Sequence, residues 1–146
     1  LMQDEKLDQL VLSRLGLPTI GKADMSNWKE FVHKMINPIG TVKIGLVGKY
    51  IELKDSYKSI VEGLIHAGVA NRTKVEIKWI HSEKLSPADV KEYVKGLDGL
   101  LVAPGFGERG FEGKIKAVQF ASENDIPFFG ICFGMQAAVI EYARNV

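Results

Sequence analysis

The chain is poor in cysteine: Cys132 is the only one among 146 residues. A single cysteine excludes an internal disulfide and a multi-cysteine metal site, and its scarcity is typical of a reducing compartment. No apolar run approaches the length of a membrane span, and the first residues lack the basic and then apolar pattern of a signal peptide. We therefore expect a cytoplasmic protein with no membrane partner.

An excess of one charge is also lacking. Lys and Arg (19) nearly balance Asp and Glu (18), so the composition predicts no nucleic-acid partner. Apolar residues make up 46% of the chain, which is enough for a core, and the length suits one domain or a piece of a larger one.

The sequence pattern divides the chain into two parts. Residues 1–40 contain two short helical patterns, Leu7 to Leu15 and Trp28 to Met35, separated by Gly16-Leu17-Pro18. Neither helix can bury its apolar stripe alone, so this part is predicted to be a helical linker. Residues 41–146 alternate strands with helices and are predicted to form a second part.

The alternation predicts an α/β fold with a doubly wound parallel sheet of the flavodoxin-like type. Strands are expected at residues 42–47, 74–80, 97–102 and 127–131. Helices are expected after an N-cap at Asp55 or Ser56, and at residues 86–95, 112–124 and 135–144. The alternating strand 74–80 suits a sheet edge, and the functional edge should lie at the carboxyl ends of the strands.

The segment Gly130-Ile131-Cys132-Phe133-Gly134-Met135-Gln136 places the cysteine between a strand and a helix. Glycines two residues before and after it relieve crowding at a sharp turn, as in a nucleophile elbow. The pattern therefore predicts Cys132 as a nucleophile. A buried structural cysteine is the alternative.

A glycine-rich loop, residues 103–110, follows the third strand. Its Gly-x-Gly-x-x-Gly pattern resembles a dinucleotide fingerprint, but such a fingerprint normally follows the first strand. We favour an oxyanion hole, in which glycines let backbone N–H groups approach a tetrahedral intermediate. A plain turn is the third possibility.

None of the three histidines is well placed as the base for Cys132. His33 lies in the linker and His66 lies within a helix. His81 ends the second strand, which in the common order 2-1-3-4 is about 14 Å from the fourth. The base is predicted to be missing from this chain.

Three segments together carry a family resemblance: the elbow Gly-Ile-Cys-Phe-Gly-Met-Gln, the loop Pro-Gly-Phe-Gly-Glu-Arg-Gly, and residues 47–59. With them, residues 40–146 resemble the glutaminase domains of CTP synthases, which are class I glutamine amidotransferases. Residues 1–37 resemble the end of the synthase domain and its linker. The family's catalytic His-x-Glu segment would lie beyond Val146, so we expect a domain truncated after the nucleophile helix.

The resemblance implies roles for particular residues. Cys132 would attack the side-chain amide of glutamine to give a glutamyl thioester and ammonia. Glutamine would be bound by Gly105, Phe133, Gly134, Met135 and Gln136, with backbone groups around Gly105 and Phe133 serving the oxyanion. Pro104 replaces a glycine of the family's Pro-Gly-Gly-Phe-Gly pattern, which removes one N–H.

The resemblance also implies partners beyond this chain. Ammonia would pass to a synthase domain that uses ATP and magnesium to aminate UTP to CTP, a step of pyrimidine biosynthesis. GTP would promote glutamine hydrolysis, and the whole enzyme would be a homotetramer. No cofactor is expected on this chain itself.

Two alternatives stay open from the sequence. The first alternative is the glutaminase domain of another amidotransferase, or a γ-glutamyl hydrolase. The chain would also suit a non-catalytic flavodoxin-like module in which Cys132 is a regulatory thiol.

Overall fold

A computed structural model describes residues 2–19, 21 and 23–145, without the side chain of Lys54. Leu1 and Val146, the outer bounds of the two predicted parts, lie outside the described residues. The chain forms two compact units, Leu1–His33 and Lys34–Val146. The boundary near residue 40 between a linker and an amidotransferase part stays a prediction.

The N-terminal unit contains the first of the two helical segments that the apolar spacing predicts and the start of the second. Helix α1 spans Leu7–Arg14, and α2, at Ser26–Ile36, begins in this unit. The rings of Trp28 and Phe31 stack with centroids 5.4 Å apart.

No helix in the described ranges is long and apolar enough to cross a membrane.

The second unit is built on a parallel sheet of four strands. They are β1 (Gly40–Gly48), β2 (Thr73–His81), β3 (Gly99–Val102) and β4 (Phe128–Gly130), in the order β2-β1-β3-β4. The α/β fold and the order 2-1-3-4 are therefore confirmed. Strand β2 pairs with β1 alone in this order and so lies at an edge, as its alternation predicts. The side chains on one of its faces, Lys74, Glu76 and Lys78, are exposed.

Helices and their connections cover both faces of the sheet. They are α3 (Lys58–Ala70), α4 (Val90–Val94), α5 (Phe111–Glu123) and α6 (Phe133–Asn145). Neighbouring residues of β1 point to opposite faces: Val47 belongs to one buried apolar cluster and Leu46 to the other. Burial on both faces explains why β3 and the second half of β1, residues 44–48, are apolar runs without alternation.

The predicted N-cap of α3 is wrong. Neither Asp55 nor Ser56 caps α3; a 3₁₀ turn at Lys54–Tyr57 precedes the helix, whose N-terminus has no side-chain cap. Tyr57 is buried, and its hydroxyl accepts hydrogen bonds from the N–H groups of Lys49 (3.0 Å) and Tyr50 (3.1 Å). This tertiary contact places Tyr57 under the end of β1. As a result α3 begins at Lys58 and not directly after Asp55 or Ser56.

Candidate functional site

Three chain segments meet where β1, β3 and β4 end. Val47 is paired with Val102, and Val102 with Gly130, so these strand ends lie level with one another. Lys49 follows β1, the glycine-rich loop follows β3, and Cys132 follows β4. The carboxyl edge of the sheet therefore gathers the predicted nucleophile and the predicted oxyanion loop.

Cys132 sits on a strained turn. Its φ is 53°, in the left-handed region that non-glycine residues rarely adopt. Its carbonyl accepts the N–H of Gln136 at 3.2 Å, which places it directly before α6, and its side chain is exposed. An exposed thiol, on a residue with a left-handed backbone conformation at a helix N-terminus, is the arrangement of a nucleophile elbow.

The elbow glycines allow α6 to pack against the sheet. A Cβ on Gly134 would lie 2.1 Å from the carbonyl oxygen of Val102, and a Cβ on Gly130 would lie 2.7 Å from the carbonyl carbon of Gly134. Both obstacles are backbone atoms, which cannot rotate away. The Gly-x-Cys-x-Gly pattern is therefore required by close backbone packing.

The loop after β3 has the backbone conformation that its glycines allow. Gly105 has a φ of 125° and Gly107 a φ of 99°. The loop begins at Ala103, whose N–H donates to the carbonyl of Val47 at 2.9 Å. Positive φ at two glycines turns successive peptide groups in directions that other residues would resist.

Two buried lysines hold this loop. Lys114, on α5, is only 1% exposed, and its Nζ donates to the carbonyl oxygens of Ala103 (2.9 Å), Pro104 (3.3 Å) and Gly105 (3.2 Å). Lys49 is 8% exposed, and its Nζ donates to the carbonyl of Phe106 at 2.8 Å. Four consecutive carbonyls of the loop are therefore bound by ammonium groups.

Sequence reasoning did not single out Lys114, although a signal was present. In the predicted helix 112–124, Lys114 lies on the same face as three apolar residues, at the spacing of a buried stripe. These residues are Ala117, Val118 and Ala121. A lysine within such a stripe needs polar partners, because an unpaired buried charge is costly. Here the partners are loop carbonyls.

Aromatic contacts join the elbow to the loop. The ring of Phe133 lies 5.3 Å from that of Phe106 in the loop and 4.4 Å from that of Phe111 on α5. The Nζ of Lys114 lies 5.4 Å from the centroid of the Phe133 ring. The two predicted functional loops are thus in direct contact.

The other predicted site residues lie at the same edge. Gly134 is buried, Phe133 and Gly105 are half-buried, and Met135 and Gln136 are exposed on the first turn of α6. Arg109 pairs with Glu83 at 3.0 Å.

His81 ends β2, at the edge of the sheet away from β4. Its Nε2 lies 3.8 Å from the carboxylate of Glu52. At about 4.8 Å per strand, the three strand spacings place it about 14 Å from the β4 position. This separation is too large for a hydrogen bond between His81 and Cys132.

Lys114 has an altered acidity. Burial, and then the charge of Lys49, lower the pKa of Lys114 to about 8, while Cys132 acts in the opposite direction. At neutral pH the side chain is therefore mainly an ammonium.

This shift predicts a pH-dependent stability. The unfolded chain should keep Lys114 protonated up to about pH 10.5, so between about pH 8 and 10.5 the unfolded state binds more protons than the folded state. We therefore compare the free energy of unfolding of the wild type with that of Lys114→Met. The wild-type value minus the variant value should be constant below pH 8 and should rise with pH between about pH 8 and 10.5. Urea titrations of both proteins across this range measure it. A flat difference up to pH 10.5 would contradict the lowered pKa.

Among the described residues, no three His, Cys, Asp or Glu side chains come together in a way that would hold a metal ion.

Comparison with known proteins shows the family of this chain. The family described as "Glutamine amidotransferase class-I" matches residues 52–146. The chain belongs to this family.

Among its relatives are proteins named CTP synthase. That of Cytophaga hutchinsonii is 59% identical over 146 residues, which cover all of this chain and 27% of that protein. That of Methanocaldococcus jannaschii is 54% identical over 151 residues, covering 99% of this chain and 28% of that protein. The chain therefore spans about a quarter of the length of these relatives.

A solved structure gives the same result. The glutaminase domain of the Trypanosoma brucei CTP synthase, with bound acivicin, aligns with a TM-score of 0.67 and 40% identity. The alignment covers 72% of this chain and 41% of that one. The class I glutamine amidotransferase fold, and the match to the glutaminase portion of CTP synthases, are thereby confirmed.

Proposed function

We propose that this chain is the glutamine-hydrolysing part of a CTP synthase and that Cys132 is its nucleophile. The observation that carries the proposal is the exposed cysteine on a left-handed turn before α6, next to a glycine loop with positive φ. The positive end of the α6 dipole favours an anionic sulfur at that place.

The reaction has two stages. The thiolate attacks the side-chain carbonyl carbon of glutamine, and N–H groups around Gly105 and Phe133 stabilise the oxyanion. The C–N bond then breaks, the nitrogen takes up the proton that the thiol gave up on becoming a thiolate and leaves as ammonia, and a thioester remains. Water attacks the thioester, which releases glutamate and returns the thiol.

Glutamine is bound by residues that flank these donors. In this proposal Phe133, Gly134, Met135 and Gln136 form the substrate-binding first turn of α6, and Gly105 closes the site from the loop. The exposure of Met135 and Gln136 supports the proposal, because a binding surface must be accessible to substrate.

The rest of the function would be carried out by further parts of the enzyme. Ammonia would be used by a synthase domain for the ATP- and magnesium-dependent ligase reaction that converts UTP to CTP, with GTP as activator. The complete enzyme would be a cytoplasmic homotetramer, and residues 1–40 would join the two domains. Identity of 59% and 54% to two CTP synthases, over 100% and 99% of this chain, supports this assignment over a γ-glutamyl hydrolase or a regulatory-thiol module.

We also propose that this chain by itself hydrolyses glutamine slowly. His81 belongs to the far edge of the sheet, and His66 lies beyond the middle of α3, which starts at the carboxyl edge. Loss of a catalytic partner commonly lowers turnover by several powers of ten.

Covalent labelling tests the proposed function. The full-length protein that contains this chain should react with 6-diazo-5-oxo-L-norleucine, an electrophilic glutamine analogue, and peptide mass spectrometry should place the adduct on Cys132. Excess glutamine should slow the labelling, whereas excess asparagine, which is one methylene shorter, should not. An adduct on another residue, or none, would refute the proposal.

A further inference from the structure

The loop after β3 is held from one side by a single buried side chain. Lys114 Nζ is within hydrogen-bond distance of three successive loop carbonyls, those of residues 103, 104 and 105. Hydrogen bonds from an ammonium are stronger than those from a neutral donor, and their strength grows in a buried setting. Lys114 thus restrains three consecutive peptide groups.

Restraining the carbonyls also fixes the N–H groups. The peptide bonds of the loop are trans, so each carbonyl points opposite to the N–H of the following residue. Binding the Pro104 carbonyl therefore turns the N–H of Gly105 away from Lys114, and binding the Gly105 carbonyl does the same for Phe106. Pro104 has no N–H, so Gly105 and Phe106 supply the donors of this stretch.

The same lysine contacts the elbow. Its ammonium lies 5.4 Å from the centroid of the Phe133 ring, and its charge interacts with Cys132. Phe133 in turn contacts Phe106 of the loop. Lys114 therefore links the residue after the nucleophile to the loop that faces it.

We propose that Lys114 is a positioning residue of the oxyanion site, which orients the N–H of Gly105 by holding the loop carbonyls. This inference rests on the proposed function, because it assigns to the loop the role of stabilising the tetrahedral intermediate. Lys114 is not a catalytic residue in this scheme, since it acts through the backbone.

Substitution in the full-length protein tests the inference. Lys114→Met keeps the size and apolar stem of the side chain and removes its hydrogen bonds. We expect kcat/KM for glutamine hydrolysis to fall about 10- to 100-fold, mostly through kcat, because losing one oxyanion donor outright costs about 100- to 1000-fold. Lys116→Met, two residues along α5, is the matched control, since Lys116 Nζ donates to the side-chain oxygen of Gln119 on the same helix (3.1 Å).

A transition-state analogue separates positioning from a loss of folded protein. Glutamate γ-semialdehyde adds to a thiolate to give a tetrahedral oxyanion, so its inhibition constant should weaken in Lys114→Met by the same factor as kcat/KM. Titration with 6-diazo-5-oxo-L-norleucine counts intact sites, and their number should be unchanged. Lys114→Gln, which is neutral and shorter, provides the same comparison if Lys114→Met does not fold.

Two results would overturn the inference. One is an unchanged inhibition constant and kcat/KM in a fully labelled variant. The other is a Lys114→Met protein with fewer labelled sites, in which kcat/KM per labelled site and the inhibition constant equal those of the wild type. That result would show a purely structural role. If the wild type itself shows neither labelling nor hydrolysis, the proposed function fails and the inference falls with it.

Discussion

Replacement of Cys132 by serine is expected to lower glutamine hydrolysis by the full-length protein at least about a thousandfold. A serine hydroxyl is a far weaker nucleophile than a thiolate. Loss of a catalytic nucleophile costs up to about 10⁶-fold in kcat in other hydrolases. Glutamate release measured with a coupled dehydrogenase assay quantifies the loss.

An internal control accompanies this variant. CTP formation from UTP, ATP and added ammonium chloride bypasses the glutaminase step and should be retained in Cys132→Ser. Serine also occupies about the same space as cysteine at the exposed turn, so the fold should be kept. A variant that retains a tenth or more of the glutamine-dependent rate would show that the sulfur is not the nucleophile.

Replacement of Gly134 by alanine is expected to destabilise the second unit and distort the elbow. The added Cβ would lie 2.1 Å from the carbonyl oxygen of Val102, so either β3 or α6 must move. Overpacking of this kind typically costs about 1–3 kcal/mol and occasionally more. A shift of α6 also displaces Cys132, so glutamine hydrolysis should fall together with the free energy of unfolding.

Gly63→Ala is the matched control for Gly134→Ala. Gly63 lies in α3, and a Cβ there would meet no atom within 4 Å. Because alanine is the better helix former by about 1 kcal/mol, this variant should be as stable as the wild type or more so. Denaturant unfolding of both variants checks the pair. Equal stability of Gly134→Ala and Gly63→Ala would contradict the close approach of α6 to β3.

The sequence predicted much of the fold because its signals are local. Apolar runs bounded by glycine and proline marked the strands, and the spacing in the intervening segments marked the helices. The helix around Ala117 was predicted to within one residue at each end. The predicted cap at Asp55 or Ser56 failed, because burial of Tyr57 under β1 outweighs a local capping preference.

The candidate site was predicted unevenly for the same reason. Cys132 and Gly105 could be singled out because glycine spacing around them is a short-range pattern. Lys114 could not, because its partners lie 9 to 11 residues away in the chain and meet it only when α5 packs beside β3. A lysine in a helical stripe shows that a partner is needed, but not which one.

By itself, the sequence determined an α/β protein with Cys132 between its fourth strand and the following helix. Periodicity and glycine placement suffice for that, since both act over a few residues. Only the tertiary structure decided that the backbone of Cys132 has a left-handed conformation. It alone also decided that Lys114 and Lys49 bind four loop carbonyls. These features depend on distances between segments far apart in the chain, which are set by packing of the whole sheet and its helices.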